Sequence, residues 1–113
     1  MADTMKSKVI AIGATATELL AAVTSGTTVI TMLQIGNVDG TNDASVDLSV
    51  NKNGAGDTTF LSTANVPAGK MLPVFSSEVG KLILVDDGTP DTLDATSSAA
   101  GDLVALISYI ERT

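Results

Sequence analysis

The chain contains no cysteine, no histidine and no tryptophan, and only six lysines and arginines among its 113 residues. Without cysteine there are no disulfides and no thiolate metal sites. Without histidine the commonest catalytic base and transition-metal ligand is missing, and a Ser-His-Asp arrangement is impossible. Aromatic residues are 3% of the chain, namely Phe60, Phe75 and Tyr109, too few for stacking platforms on sugars or bases. The cations Lys6, Lys8, Lys52, Lys70, Lys81 and Arg112 are scattered, and with 13 acidic residues the net charge is −7. A duplex-binding surface needs clustered cations to displace phosphate counterions, so direct nucleic-acid binding is disfavoured. The acidity reads as solubility and resistance to non-specific association.

No apolar run approaches the roughly 18 residues of a membrane span, and no membrane association is expected. Lys6 and Lys8 ahead of Val9–Ala16 imitate a secretion signal, but the apolar part is short, diluted by Gly and Thr, and followed at once by Glu18. Residues 6–13 read instead as a first strand, and the lack of cysteine fits assembly in a reducing cytoplasm.

What the chain has in quantity is branching at Cβ. Thr, Val and Ile supply 33 of the 113 residues, and their restricted rotamers suit a pleated sheet better than a helix. Apolar segments of strand length alternate with Gly, Asn and Asp turn signals. The predicted fold is all-β, an antiparallel β-sandwich or jelly roll of about eight short strands, with residues 9–113 as a single domain behind a flexible arm at 1–8. Thr15-Ala16-Thr17-Glu18 has capping-box spacing, but only about two turns precede Ser25-Gly26, so residues 18–23 are read as a strand.

Residues 27–37 are apolar on both faces, with Val29, Thr31, Leu33 and Ile35 on one and Thr28, Ile30, Met32 and Gln34 on the other. That pattern predicts a central strand covered by the core on one side and by a neighbour on the other. Residues 44–51 alternate cleanly, as a half-exposed strand does, and 27–37 and 44–51 are expected to form a hairpin around Asp39-Gly40. Further strands are read at 58–65, 70–75, 81–85, 92–97 and 103–110, with 76–80 as a connection and mostly sequential hairpins. The last strand is again apolar on both faces. Val29, Leu33, Ile35, Val46, Leu48, Leu84, Leu93 and Ile107 are predicted to be buried. A core resting on aliphatic residues alone is thin, and small domains of that kind gain stability by oligomerising.

Candidates for chemistry are few. Asp86, Asp87, Asp91 and Asp94 cluster around one turn, and paired carboxylates are what glycoside hydrolysis requires. In a Gly/Pro turn with no aromatic platform nearby they read as a solvated loop. Gly54-Ala55-Gly56-Asp57 lacks the Gly-Lys-Ser/Thr of a phosphate loop and reads as a turn. Asn37 to Asp43 has the oxygen density of a calcium loop, but from either Asn37 or Asp39 the sixth and twelfth positions hold the wrong residues. No catalytic, cofactor-binding or metal-ligating residue is assigned, and no enzymatic activity is expected.

Three stretches together resemble small virion structural proteins of tailed phages: Thr28 to Gly40, Val66-Pro67-Ala68-Gly69-Lys70, and Lys81 to Glu111 with its acidic turn and closing Gly101-Asp102-Leu103. The resemblance spans roughly residues 20–111 in order and departs at Thr24 to Thr27 and in the longer connections at 76–80 and 86–91. It implies a structural role without catalytic residues, most specifically as a capsid decoration (cement) protein that binds the major capsid protein of a phage head. It further implies a homo-oligomer, trimer or dimer, located in the virion after assembly in the host cytoplasm. Residues 1–8 with Lys6 and Lys8 would be an arm toward an acidic partner. Alternative roles are a neck, tail or fibre-base component, and then a carbohydrate or cell-surface binding module.

Overall fold

The computed structural model describes residues 3–75, 82–99 and 101–113. Among them there is no helix, and nine strands are present: β1 (Asp3–Ile12), β2 (Thr17–Ala21), β3 (Thr27–Asn37), β4 (Ala44–Asn51), β5 (Asp57–Val66), β6 (Met71–Phe75), β7 (Leu82–Val85), β8 (Thr92–Ser97) and β9 (Leu103–Arg112). All strand pairs are antiparallel. The pairing is nested: β4 with β5 at the tip, then β3 with β6 and β7, β2 with β8, and β1 with β9. The chain is thus one long double ribbon. Wrapping it adds the β3–β9 and β4–β8 ladders, which close two sheets ordered β1-β9-β3-β6 (with β7 also on β3) and β2-β8-β4-β5. This is a jelly roll. β6 and β7 lie along one edge of β3, opposite Leu33–Gly36 and Thr27–Ile30 respectively, and together occupy one strand position. The expected connection at 76–80 and Lys81 of the expected strand lie outside the described residues.

The bounds expected for β3 and β4 are met, but the hairpin between them is not. β3 belongs to the first sheet and β4 to the second, so residues 38–43 cross from sheet to sheet. The sole hairpin between consecutive strands among the described residues is β4–β5, through the Gly54–Gly56 turn, where both glycines take positive φ. An Asp-Gly turn between two alternating segments satisfies hairpin and sandwich crossover alike; what decides is the partner each strand finds for its buried face. The arm expected at residues 1–8 is likewise corrected. From Asp3 onward it is β1, in unbroken register with β9 from Asp3 opposite Arg112 to Ile12 opposite Leu103.

The core lies between the sheets and is aliphatic: Ile12, Leu19, Ile30, Leu33, Ile35, Leu48, Leu84, Leu93, Leu103 and Ile107 are wholly buried. Seven of the eight residues predicted to be buried are there, and Val29 is the exception. A β-bulge causes it. Ile30 pairs with Tyr109 and Met32 with Ser108, leaving Thr31 without an opposite residue, and the Thr31 hydroxyl donates to the Ser108 carbonyl at 3.0 Å. The extra residue reverses the alternation, so Thr28 and Ile30 point inward before it and Leu33, Ile35 and Asn37 after it. A similar shift between Glu18 and Leu20 lets consecutive Leu19 and Leu20 both enter the core. At the β5/β6 side Phe60 stacks on Phe75 across the gap between the sheets, with ring centroids 6.1 Å apart.

Candidate functional site

The four aspartates singled out by sequence do different things. Asp91 is buried, and its carboxylate accepts from the Asn53 amide at 2.7 Å and the Val85 amide at 3.0 Å while Lys52 Nζ sits 2.5 Å away. Burial pushes its pKa up, but these donors outweigh burial and hold it below the usual carboxylate range. The group ties the β4–β5 turn to the end of β7. Asp86 accepts from the amides of Ser25 (2.9 Å) and Gly88 (3.1 Å), which lower its pKa and pin the neighbouring turn, where Ser25 has φ of 55°. Asp87 is exposed.

Asp94 lies on the outer surface of β8, directly across from Glu18 of β2. Partial burial, then the negative charges of Asp57 and Glu18, raise its pKa to about 6. A carboxyl whose folded pKa lies above its unfolded value binds more protons when folded between the two values, so stability falls as pH rises through that window. Thermal melts should therefore show stability declining between about pH 4 and 6, and Asp94→Asn should flatten that decline and stabilise the protein at pH 7 by about 1 kcal/mol after solvent screening. An unchanged profile in Asp94→Asn would contradict this. Among the described residues no group of three or more acidic side chains is arranged to hold a metal ion.

The opposite end of the sandwich brings together one part of each of the three stretches noted in the sequence, while the acidic turn of the third lies at the Asp91 end. The Asn37 amide donates to the Lys70 carbonyl, Val38 to Asp102, and Gly69 to Asp39, at 2.8 to 3.0 Å. The Asn37 side chain, buried, donates to the carbonyls of Asn42 (2.9 Å) and Val66 (3.0 Å) and accepts from the Asp39 amide (2.9 Å). Asp39 accepts from Thr41 and Asn42, which lowers its pKa, and Asp43 accepts from the Ala68 amide. The oxygens that imitated a calcium loop are thus engaged with backbone donors, as an Asx-rich turn engages them. Val38 projects from this end, 64% exposed. Replacing Asn37 with Ala should cost about 2–4 kcal/mol, because the buried Val66 carbonyl and a part-buried carbonyl and amide lose their partner; chemical denaturation measures it.

The two outer faces differ sharply. That of the β2-β8-β4-β5 sheet carries Glu18, Asp94, Asp47 and Asp57 among Ser, Thr and Asn, and its four strands contain no Lys or Arg. That of the other sheet is apolar. Met5, Ile110, Val29 and Ile83 form one row across β1, β9, β3 and β7, and Val9, Leu106, Gln34 and Pro73 form another across β1, β9, β3 and β6. Ala11, Val104, Gly36 and Met71 make a third row. Between the first two, Ser7 and Ser108 leave a shallow depression of about 280 Å³, with Met5, Ile110 and the bulged Thr31 among its lining. The charges at the margin are the Asp3–Arg112 pair, joined by two hydrogen bonds of 2.9 and 3.0 Å. Sequence reasoning saw that β3 and β9 are apolar on both faces, but not that no part of the described chain covers the second face.

No protein-family model matches the chain, and no curated protein matches it either.

Proposed function

We propose that the protein is a structural component of a tailed-phage virion, most specifically a capsid decoration protein that holds neighbouring major capsid subunits together by contact. The observation that carries this reading is that one part of each phage-like stretch, Asn37 to Gly40, Val66 to Lys70 and Asp102, meets at one end of the sandwich around Asn37. Residues that are far apart in sequence and share a likeness there form one surface, which is what a docking surface requires. The jelly-roll architecture recurs in viral capsid proteins and also in lectins and cupins, so it supports the reading as an analogy of fold only.

In this reading the loop end with exposed Val38 faces the shell and many copies bind a repeating lattice, so avidity compensates for a small contact. A protein that binds the assembled shell and not its free subunits stabilises the shell by linkage. Purified particles should contain hundreds of copies by mass spectrometry. Particles lacking the protein should assemble but release DNA at a lower temperature, and adding back the protein should restore the difference, whereas Val38→Asp should not. A single ring of copies would assign the protein to the neck or tail instead, and its absence from particles would overturn the reading.

A further inference from the structure

We propose that the apolar outer face of the β1-β9-β3-β6/β7 sheet is the interface of a two-fold homodimer in which two copies stack face to face. This goes beyond the virion reading and does not rest on it. The row Met5, Ile110, Val29 and Ile83 crosses the whole sheet, and Val9 and Leu106 begin the second apolar row. Met5 is 83% exposed, Val9 66% and Ile83 49% in the single chain. Large apolar side chains so concentrated on one face mark an association surface rather than ordinary scatter.

Area, charge and shape identify the occupant as a second copy. Four strand positions and five paired rows make a face of about 600 Å², so a stacked pair covers about 1,200 Å², the lower bound for a specific stable interface. The face is nearly neutral, since Asp3 and Arg112 neutralise each other at its margin. It offers no field to select a strongly charged partner, and its apolar character is that of homodimer contacts. The carboxylates Glu18, Asp47 and Asp94 lie on the opposite face. In a face-to-face pair the two acidic surfaces stand about 30 Å apart, well beyond the Debye length of about 8 Å in physiological salt, so their carboxylates do little to oppose association. A single flat patch that meets itself gives a two-fold pair, whereas a trimer needs two different patches. Addition of strands edge to edge is the competing mode. Lys6 and Lys8 on edge strand β1 and Pro73 on the opposite edge disfavour it.

The test is sedimentation equilibrium from about 1 to 100 μM, across the range of ordinary homodimer affinities. The wild type should give twice the chain mass of 11.4 kDa. Met5→Lys combined with Ile83→Lys should give the single-chain mass, because each lysine appears twice in the pair and association weakens by at least about 100-fold. Both positions are exposed, so the variant should keep the wild-type circular dichroism, and Thr96→Lys on the acidic face should remain a dimer. A wild type that is monomeric at the highest concentration, a trimer, or a double variant that still dimerises would each overturn the proposal. Loss of Val38 function on particles with the dimer intact would leave this interface standing, so the two readings fail separately.

Discussion

Asp91→Ala should lose about 2–5 kcal/mol of unfolding free energy, because two part-buried backbone amides at about 1–3 kcal/mol each lose their charged acceptor. The amides are those of Asn53, in the β4–β5 turn, and Val85, at the end of β7, and the same carboxylate holds Lys52. Against a total of about 5–15 kcal/mol for a domain of this kind, the variant would be marginal. Lys52→Ala should cost less, since the lysine is half-exposed and its attraction is screened by water. Asp87→Ala, at an exposed position in the same acidic turn, should stay within about 0.5 kcal/mol of the wild type. Urea denaturation of the three variants measures the order. Equal losses for Asp91→Ala and Asp87→Ala would show that the turn is uniformly solvated. The pH dependence follows the sign of the shift: the folded pKa of Asp91 is depressed, so its contribution is present above the unfolded value of 3.8 and disappears as pH falls through the folded value. Asp94 acts in the opposite sense at higher pH, with its folded value at about 6. Together they place the stability maximum between the two, below neutrality.

Leu33→Ala should cost about 2–5 kcal/mol, because it removes a wholly buried aliphatic side chain from the core. Deleting Thr31 two residues earlier should do far less, although it shortens the central strand. Ile30 and Met32 then become neighbours opposite Tyr109 and Ser108, themselves neighbours on β9, so the ladder runs without a bulge. Ile30 and Leu33 keep their inward alternation, and β6 and β7 keep their partners on β3. What is lost is the hydroxyl that donates to Ser108, at about 0.5–1.5 kcal/mol, as in Thr31→Val. Urea denaturation of Leu33→Ala, Thr31→Val and the deletion variant ranks them. A deletion variant less stable than Leu33→Ala would mean that the bulge sets the shape of β3 and not only its residue count.

Local chemistry determined most of the secondary structure. β-branched composition and turn residues are properties of short windows, and the bounds of β3, β4 and β8 followed from them without tertiary information. Burial of Leu33, Ile35, Val46, Leu48, Leu84, Leu93 and Ile107 was legible for the same reason, since alternation with a period of two states which side of a strand is apolar. The double-faced apolarity of β3 and β9 was legible too, as was the solvated character of the Asp86-Asp87 turn.

What only the tertiary structure decided is which strand lies beside which, and where alternation breaks. The 38–43 segment has good hairpin chemistry yet carries the chain between sheets, because β3 finds β9, β6 and β7 and β4 finds β5 and β8. Those partners are up to 85 residues away along the chain from Thr27 to Arg112, and no local window contains them. The bulge at Thr31 exists because β3 must keep two registers against β9, so Val29 looked like a core residue until its partner was known. Asp91 and Asn37 carry the sequence signature of polar turns; their burial arises only when segments distant in the chain close around them. The apolar outer face likewise becomes a single surface only once β1, β9, β3 and the broken β6/β7 strand stand side by side, since its residues come from four separate segments and the sequence carries their hydrophobicity but not their adjacency.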